Sequence, residues 1–174
     1  MLKYKYYSLI LIKQGDYYIL SQKKHFYPVD FARIIGRSIN KQESPKKTAL
    51  KELQDCLVGE NHYLKKEDLK YVANLKTIIN TAKGETVINS YIYFTVIPTD
   101  YRIQSKNKTF NFCFLKELEF QELIISMSDL KENLQRDNVL FGFNWQDYVK
   151  IYQPIHQIAL NYAKKLEKNH FDNY

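Results

Sequence analysis

The chain is poor in the residues that staple or anchor a fold from outside. Among 174 residues there are only two cysteines, Cys56 and Cys113, far apart and outside any CxxC pair. That excludes a disulfide framework and a thiolate zinc site, and reads as reduced thiols. The four histidines (His25, His62, His156 and His170) are scattered without ligand spacing and read as ordinary surface or partly buried side chains. No apolar stretch approaches the roughly 20 residues that cross a bilayer. The opening "MLKYKYYSLILIKQGD" has a short apolar centre but no small-residue cleavage site, and its alternation suits a strand better than a signal peptide. A soluble intracellular protein without membrane attachment is the expectation. There is no internal repeat, no low-complexity linker, and no GxxxxGK[ST], GxGxxG or GxSxG motif.

What is present is apolar and aromatic. Hydrophobic residues make up 45% of the chain and aromatic ones 15%, enough to exclude disorder and to build one real core. The net charge of +7 favours anionic partners such as nucleotides, RNA or acidic proteins. The lysines, however, come in separated pairs, Lys23-Lys24, Lys46-Lys47, Lys65-Lys66 and Lys164-Lys165, with no run of five or six. Solvated surface is their default role.

Periodicity and turn chemistry lay out the elements. Tyr4 to Lys13 alternates as a strand, "QGD" at 14–16 is a turn, and "YYILSQ" returns as the second arm of a hairpin. Phe31 to Ile35 reads as a further short strand. Ser44 is a good N-cap with Pro45 at the first helical position, where its missing N–H costs nothing. Ala49, Leu50, Leu53 and Leu57 form one apolar stripe, so a helix is expected from Pro45 to Val58, stopping near Gly59. "LKYVANLKTII" and "TVINSYIYFTVI" flank "NTAKGE" as a hairpin. "PTDYRIQSKNK" reads as a polar loop and "TFNFCFL" as a strand. "KELEFQELI" and "SDLKENLQ" read as short helices, the second capped by Ser128. In the tail, Ile151, Ile155, Ile158, Ala159, Tyr162 and Leu166 recur at helical spacing, with Pro154 placed to start, break or kink that helix. Strands on both sides of a central helix, closed by terminal helices, imply a mixed sheet between helical layers.

The segment "GRSINKQESPKKTALKELQDCLVG", residues 36–59, resembles the Nudix box, G-x5-E-x7-R-E-U-x-E-E-x-G-U, where U is bulky and aliphatic. Glu43 takes the first glutamate, and Lys51-Glu52-Leu53 stands where the family has Arg-Glu-aliphatic. Asp55 and Cys56 stand at the Glu-Glu pair. Arg37 occupies the box glycine beside Gly36, and Val58 replaces the late glycine. The resemblance implies an α/β/α sandwich over residues 1–125, with a helical C-terminal extension at 126–174 packed on it or on a partner. It further implies Mg²⁺- or Mn²⁺-dependent hydrolysis of nucleoside diphosphates linked to another group.

The chemistry explains the motif. Mg²⁺ is hard and takes oxygen ligands in octahedral geometry, and carboxylates at i, i+3 and i+4 of a helix can converge on one ion. Here those positions are Glu52, Asp55 and Cys56. By resemblance Glu52 and Asp55 are the catalytic metal ligands, while Gly36, Glu43 and Lys51 support the box. Cys56 offers a soft or neutral thiol in place of a carboxylate. Arg37 adds a side chain and a positive charge where the family's glycine brings backbone close to the metal. As a small apolar residue, Cys56 equally extends the core stripe. Tyr91, Tyr93 and Phe94 can stack on a nucleobase or serve the core. Glu85, Glu117 and Glu119 are candidate extra carboxylates, with surface placement their default. Two readings stay open: a Nudix-related pyrophosphohydrolase with weak or absent Mg²⁺ binding and hydrolysis impaired or lost, or a non-catalytic module holding RNA, a nucleotide or a protein assembly.

Overall fold

A computed structural model describes residues 2–23, 32–58, 64–81, 84–104, 110–129 and 145–172. Its centre is a mixed six-stranded sheet in the order β5-β6-β1-β2-β8, with β3 also paired to β1. β1 (Lys3–Gln14) and β6 (Gly84–Ile97) run parallel in unbroken register from Lys3 opposite Thr86 to Gln14 opposite Ile97. The opposite edge of β1 is divided. Its C-terminal end pairs antiparallel with β2 (Tyr17–Lys23), and Tyr7 to Ile10 pair antiparallel with β3 (Ile35–Ser38). β5 (Lys70–Thr81) forms the expected hairpin with β6, and β8 (Phe110–Leu115) pairs with β2. The first hairpin turns at Gly15, whose φ of 58° is a conformation glycine enters without steric cost.

Both faces of β1 are buried, so the chain has two cores. Leu9 and Leu11 point into one, with Ile88, Ile92 and Phe94 of β6, α2 (Glu117–Ser126) and α3 (Trp145–Asp172). Ile10 and Ile12 point into the other, with Ile35, Tyr93 and α1 (Pro45–Cys56). The result is the expected α/β/α sandwich. Of the tail stripe, Ile151, Ile155 and Ala159 are buried against the sheet and Ile158 and Tyr162 are partly buried there, joined by Leu160 and Ala163, while Leu166 at its far end is exposed.

Several expectations change in detail. The third strand begins at Ile35; upstream of it, Arg33 makes only an isolated bridge to Ser21, and Phe31 lies outside the described residues. α1 ends at Cys56, two residues early, because Leu57 and Val58 become β4 and pair with β7 (Arg102–Ile103). That pairing also puts structure into the expected polar loop, while Gly59 lies outside the described residues. Pro154 neither starts nor breaks α3, which is continuous for 28 residues; its ring sits on the exposed side, away from the core. Ser128 lies in a short 3₁₀ turn after α2 and hydrogen-bonds Gln153, and the rest of "SDLKENLQ" falls largely outside the described residues. His156 is fully buried, its Nε2 accepting the Ile34 N–H at 2.9 Å, and burial, with Arg33 nearby, pushes its pKa down to about 3.

Candidate functional site

The box segment lies where β3 hands over to α1, on one face of the sheet. Gly36 stands against β1 so closely that a Cβ there would run into the Leu9 side chain and the Ser8 carbonyl oxygen. Its glycine therefore serves strand contact. One residue on, Arg37 is in register with Ser8, whose hydroxyl donates to the Pro45 carbonyl at 2.7 Å. This bond fixes the first turn of α1 over the β1–β3 pair. Ser44 caps that turn as expected, its side-chain oxygen accepting the Lys47 N–H at 3.2 Å.

From there the helical period sets the rest. Ala49, Leu53 and Cys56 form the buried stripe of α1, anchoring it in the second core. Glu52 and Asp55 each precede a buried residue by one position, so they line one flank of the helix, beside β3. Arg37 reaches that flank. Its Nε donates to Glu52 Oε2 in a short ion pair, and its Nη2 donates to Asp55 Oδ2 at 2.6 Å. Burial of the guanidinium opposes its charge, but the hydrogen bonds to Asp55 and Glu52 outweigh this and hold its pKa above the usual value. The planar fork of arginine matches two acceptors at once, which a lysine ammonium does not. Beside this cluster, Lys51 Nζ and Glu43 Oε1 are 2.8 Å apart, and the Thr48 hydroxyl donates to the other Glu43 oxygen at 3.2 Å. Hydrogen bonding from Lys51 leads the causes that lower the Glu43 pKa.

Arg37, expected as an added positive charge at the box-glycine position, is here engaged by both carboxylates. It is their partner, and the carboxylates face it across the strand–helix junction. The donor set does not suit a hard divalent ion. Both carboxylates already bind a cation, Cys56 is turned into the apolar core at 6% exposure, and no cluster of three or more His, Cys, Asp or Glu side chains forms among the described residues. Glu117 and Glu119 belong to α2, which packs on the opposite face of the sheet, and Glu85 is exposed at the start of β6. None of the three joins Glu52 and Asp55.

Both tyrosines face the second core, at different depths. Tyr93 is buried in the second core, edge-on to Tyr71 at 5.9 Å, and burial raises its pKa to about 12. Tyr91 is half-buried, opposite Ser8 and so in the same cross-sheet row as Arg37. Phe94 faces the other core and packs edge-on against Tyr162. Val58 contributes its backbone to the β4–β7 pair. What sequence reasoning missed was the pairing of Arg37. The signal was an arginine on a strand beside a helix that carries carboxylates at i and i+3.

Comparison with known proteins supports the fold. No family model matches the sequence, and no curated protein matches it. Among solved structures, the E. coli dihydroneopterin triphosphate pyrophosphohydrolase aligns with a TM-score of 0.51 and 15% identity, over 71% of this chain and 87% of that one. The NUDIX domain of Shewanella oneidensis NrtR, complexed with ADP ribose, aligns at 0.47 and 11% identity, over 75% and 89%. The MutT protein of Methanosarcina mazei Go1 aligns at 0.48 and 10%, over 69% and 82%. At these identities the likeness is one of architecture. The chain has a Nudix-like fold.

Proposed function

We propose that this is a Nudix-fold protein related to pyrophosphohydrolases of nucleoside-diphosphate-linked substrates, in which metal-dependent hydrolysis is impaired or lost. The observation that carries this reading is the pairing of one guanidinium with Glu52 and Asp55. A divalent ion would have to displace Arg37 from both carboxylates and would still lack the third oxygen donor, because Cys56 lies in the core. Mg²⁺ therefore binds weakly or not at all, and Arg37 does the charge-balancing a metal would do. Glu43, Lys51, Ser44 and Gly36 keep the loop–helix geometry without it. Of the two tyrosines, the half-buried Tyr91 is the one we assign to a nucleotide, although it also packs against the second core, whereas Tyr93 serves that core.

The test is ADP-ribose hydrolysis with Mg²⁺ or Mn²⁺ by the wild type and by the Arg37→Gly variant, which releases Glu52 and Asp55. The proposal expects almost no wild-type turnover and a gain in the variant. Wild-type turnover at a typical enzyme rate of about 1 s⁻¹ or more would overturn it.

The rival reading, a non-catalytic module for RNA, nucleotide or protein, is favoured by a different observation: aromatic side chains left exposed on the sheet. Tyr4, Tyr6 and Tyr71 are 58%, 44% and 56% exposed.

A further inference from the structure

The sheet face that carries α1 is covered along only part of β1. Ile10 and Ile12 lie in the second core, whereas Tyr4 and Tyr6, on the same face, are exposed. Register places Tyr6 beside Asn89 and Asn89 beside Lys76, and one row further out it places Tyr4 near Ile78. Tyr91 ends this strip on the side nearest the box. These rows carry the Lys76 ammonium and, at the Tyr91 end, the Arg37 guanidinium with its two carboxylates.

Two features of the strip point to a ligand. The rings of Tyr4 and Tyr6 are nearly parallel, 16° apart, with centroids separated by 6.5 Å. This is close to the spacing of alternate residues on a strand and to about twice the 3.4 Å stacking repeat of nucleic acid bases. Two such rings frame a space for one flat ring between them. Next to this slot lies Asn89, only 7% exposed, whose Oδ1 has no hydrogen-bond partner among the described residues. A buried amide oxygen without a donor is costly, and an N–H from a ligand would satisfy it.

We infer that this strip is a platform for single-stranded nucleic acid, with one base held between Tyr4 and Tyr6, its edge read by Asn89, and the backbone phosphate met by Lys76. Base stacking on aromatic side chains is sequence-tolerant, and a cationic neighbour adds affinity for the backbone. A free nucleotide fits the same chemistry less well. Small-ligand sites are concave and enclose most of the ligand, whereas this face is open and extends over several rows. The inference does not depend on whether the box hydrolyses anything.

The experiment is fluorescence anisotropy of the full chain with fluorescein-labelled octamers of uridylate and adenylate, with AMP as competitor. Wild type binds the octamers, AMP at equal base concentration displaces little, and Tyr4→Ala/Tyr6→Ala weakens binding at least tenfold. Tyr4→Phe/Tyr6→Phe, which keeps both ring faces, restores it. On the wild type itself, photocrosslinking of a 4-thiouridine octamer labels peptides from 2–8 or 74–91. Absence of octamer binding, crosslinks only elsewhere, or binding unchanged in the alanine variant overturns the inference. AMP matching the octamer in affinity would also overturn it, in favour of a mononucleotide site.

Discussion

Arg37 and Asp55, 18 residues apart, meet at 2.6 Å between Nη2 and Oδ2 and tie β3 to the far end of α1. With Glu52 bound through Nε, one side chain bridges two carboxylates that lie on a single flank of α1. Arg37→Ala should therefore leave two like charges facing each other. The pairs are partly exposed, so the cost is modest, about 1 kcal/mol in urea unfolding. Arg37→Lys should recover only part of it, because an ammonium cannot reproduce the fork. A lysine variant as stable as wild type would show that the fork contributes nothing.

Gly36 makes a sharper case. Its missing Cβ lets β3 lie against β1, and the atoms in the way include a backbone carbonyl. Gly36→Ala should destabilise by about 2 kcal/mol or more, in the manner of overpacked cores, or abolish soluble expression. A variant melting within a degree or two of wild type would place β3 elsewhere.

The C-terminal helix should behave as part of the domain. Ile155 is fully buried against the sheet, and Ile155→Ala should cost about 2–5 kcal/mol. Hydrogen exchange across 150–166 should be slow in the free protein. Fast exchange throughout that stretch would contradict the packing.

Acid sensitivity should centre on His156. Its folded pKa, about 3, lies below the unfolded value near 6.5, so the unfolded chain binds the extra proton between the two. Stability is thus full above about pH 6.5 and falls progressively as the pH drops toward 3. His156→Gln keeps an acceptor for the Ile34 N–H and removes the titration, so its stability should be flatter between pH 6 and 4. Equal slopes in both proteins would assign the acid transition to other groups.

Where local chemistry and long-range contact agree, the fold was legible in the sequence. Ser44-Pro45 with the Ala49–Leu53 stripe marks α1, and the alternation on both sides of "NTAKGE" marks the β5–β6 hairpin. The misses have a common cause. Phe31 to Ile35 is the more apolar run, yet the strand is Ile35–Ser38, chosen by contact with β1 through a glycine and an arginine. β4 and β7 are two residues each, too short for any period to show. Pro154 stays within α3 because its ring lies on the exposed side, a fact of tertiary placement. The site was half legible. Glu52 and Asp55 share a flank by helical period alone, but which way Arg37 points depends on a strand register that no local pattern encodes.

Calorimetry with Mg²⁺ and Mn²⁺ bears most directly on the claim that Arg37 stands in for a metal at the box carboxylates. The account predicts no wild-type binding below millimolar concentration. It predicts measurable affinity in Arg37→Gly, which releases Glu52 and Asp55, and none from Cys56→Glu, because position 56 faces the apolar core. Micromolar binding by the wild type, abolished by Glu52→Ala, would contradict it.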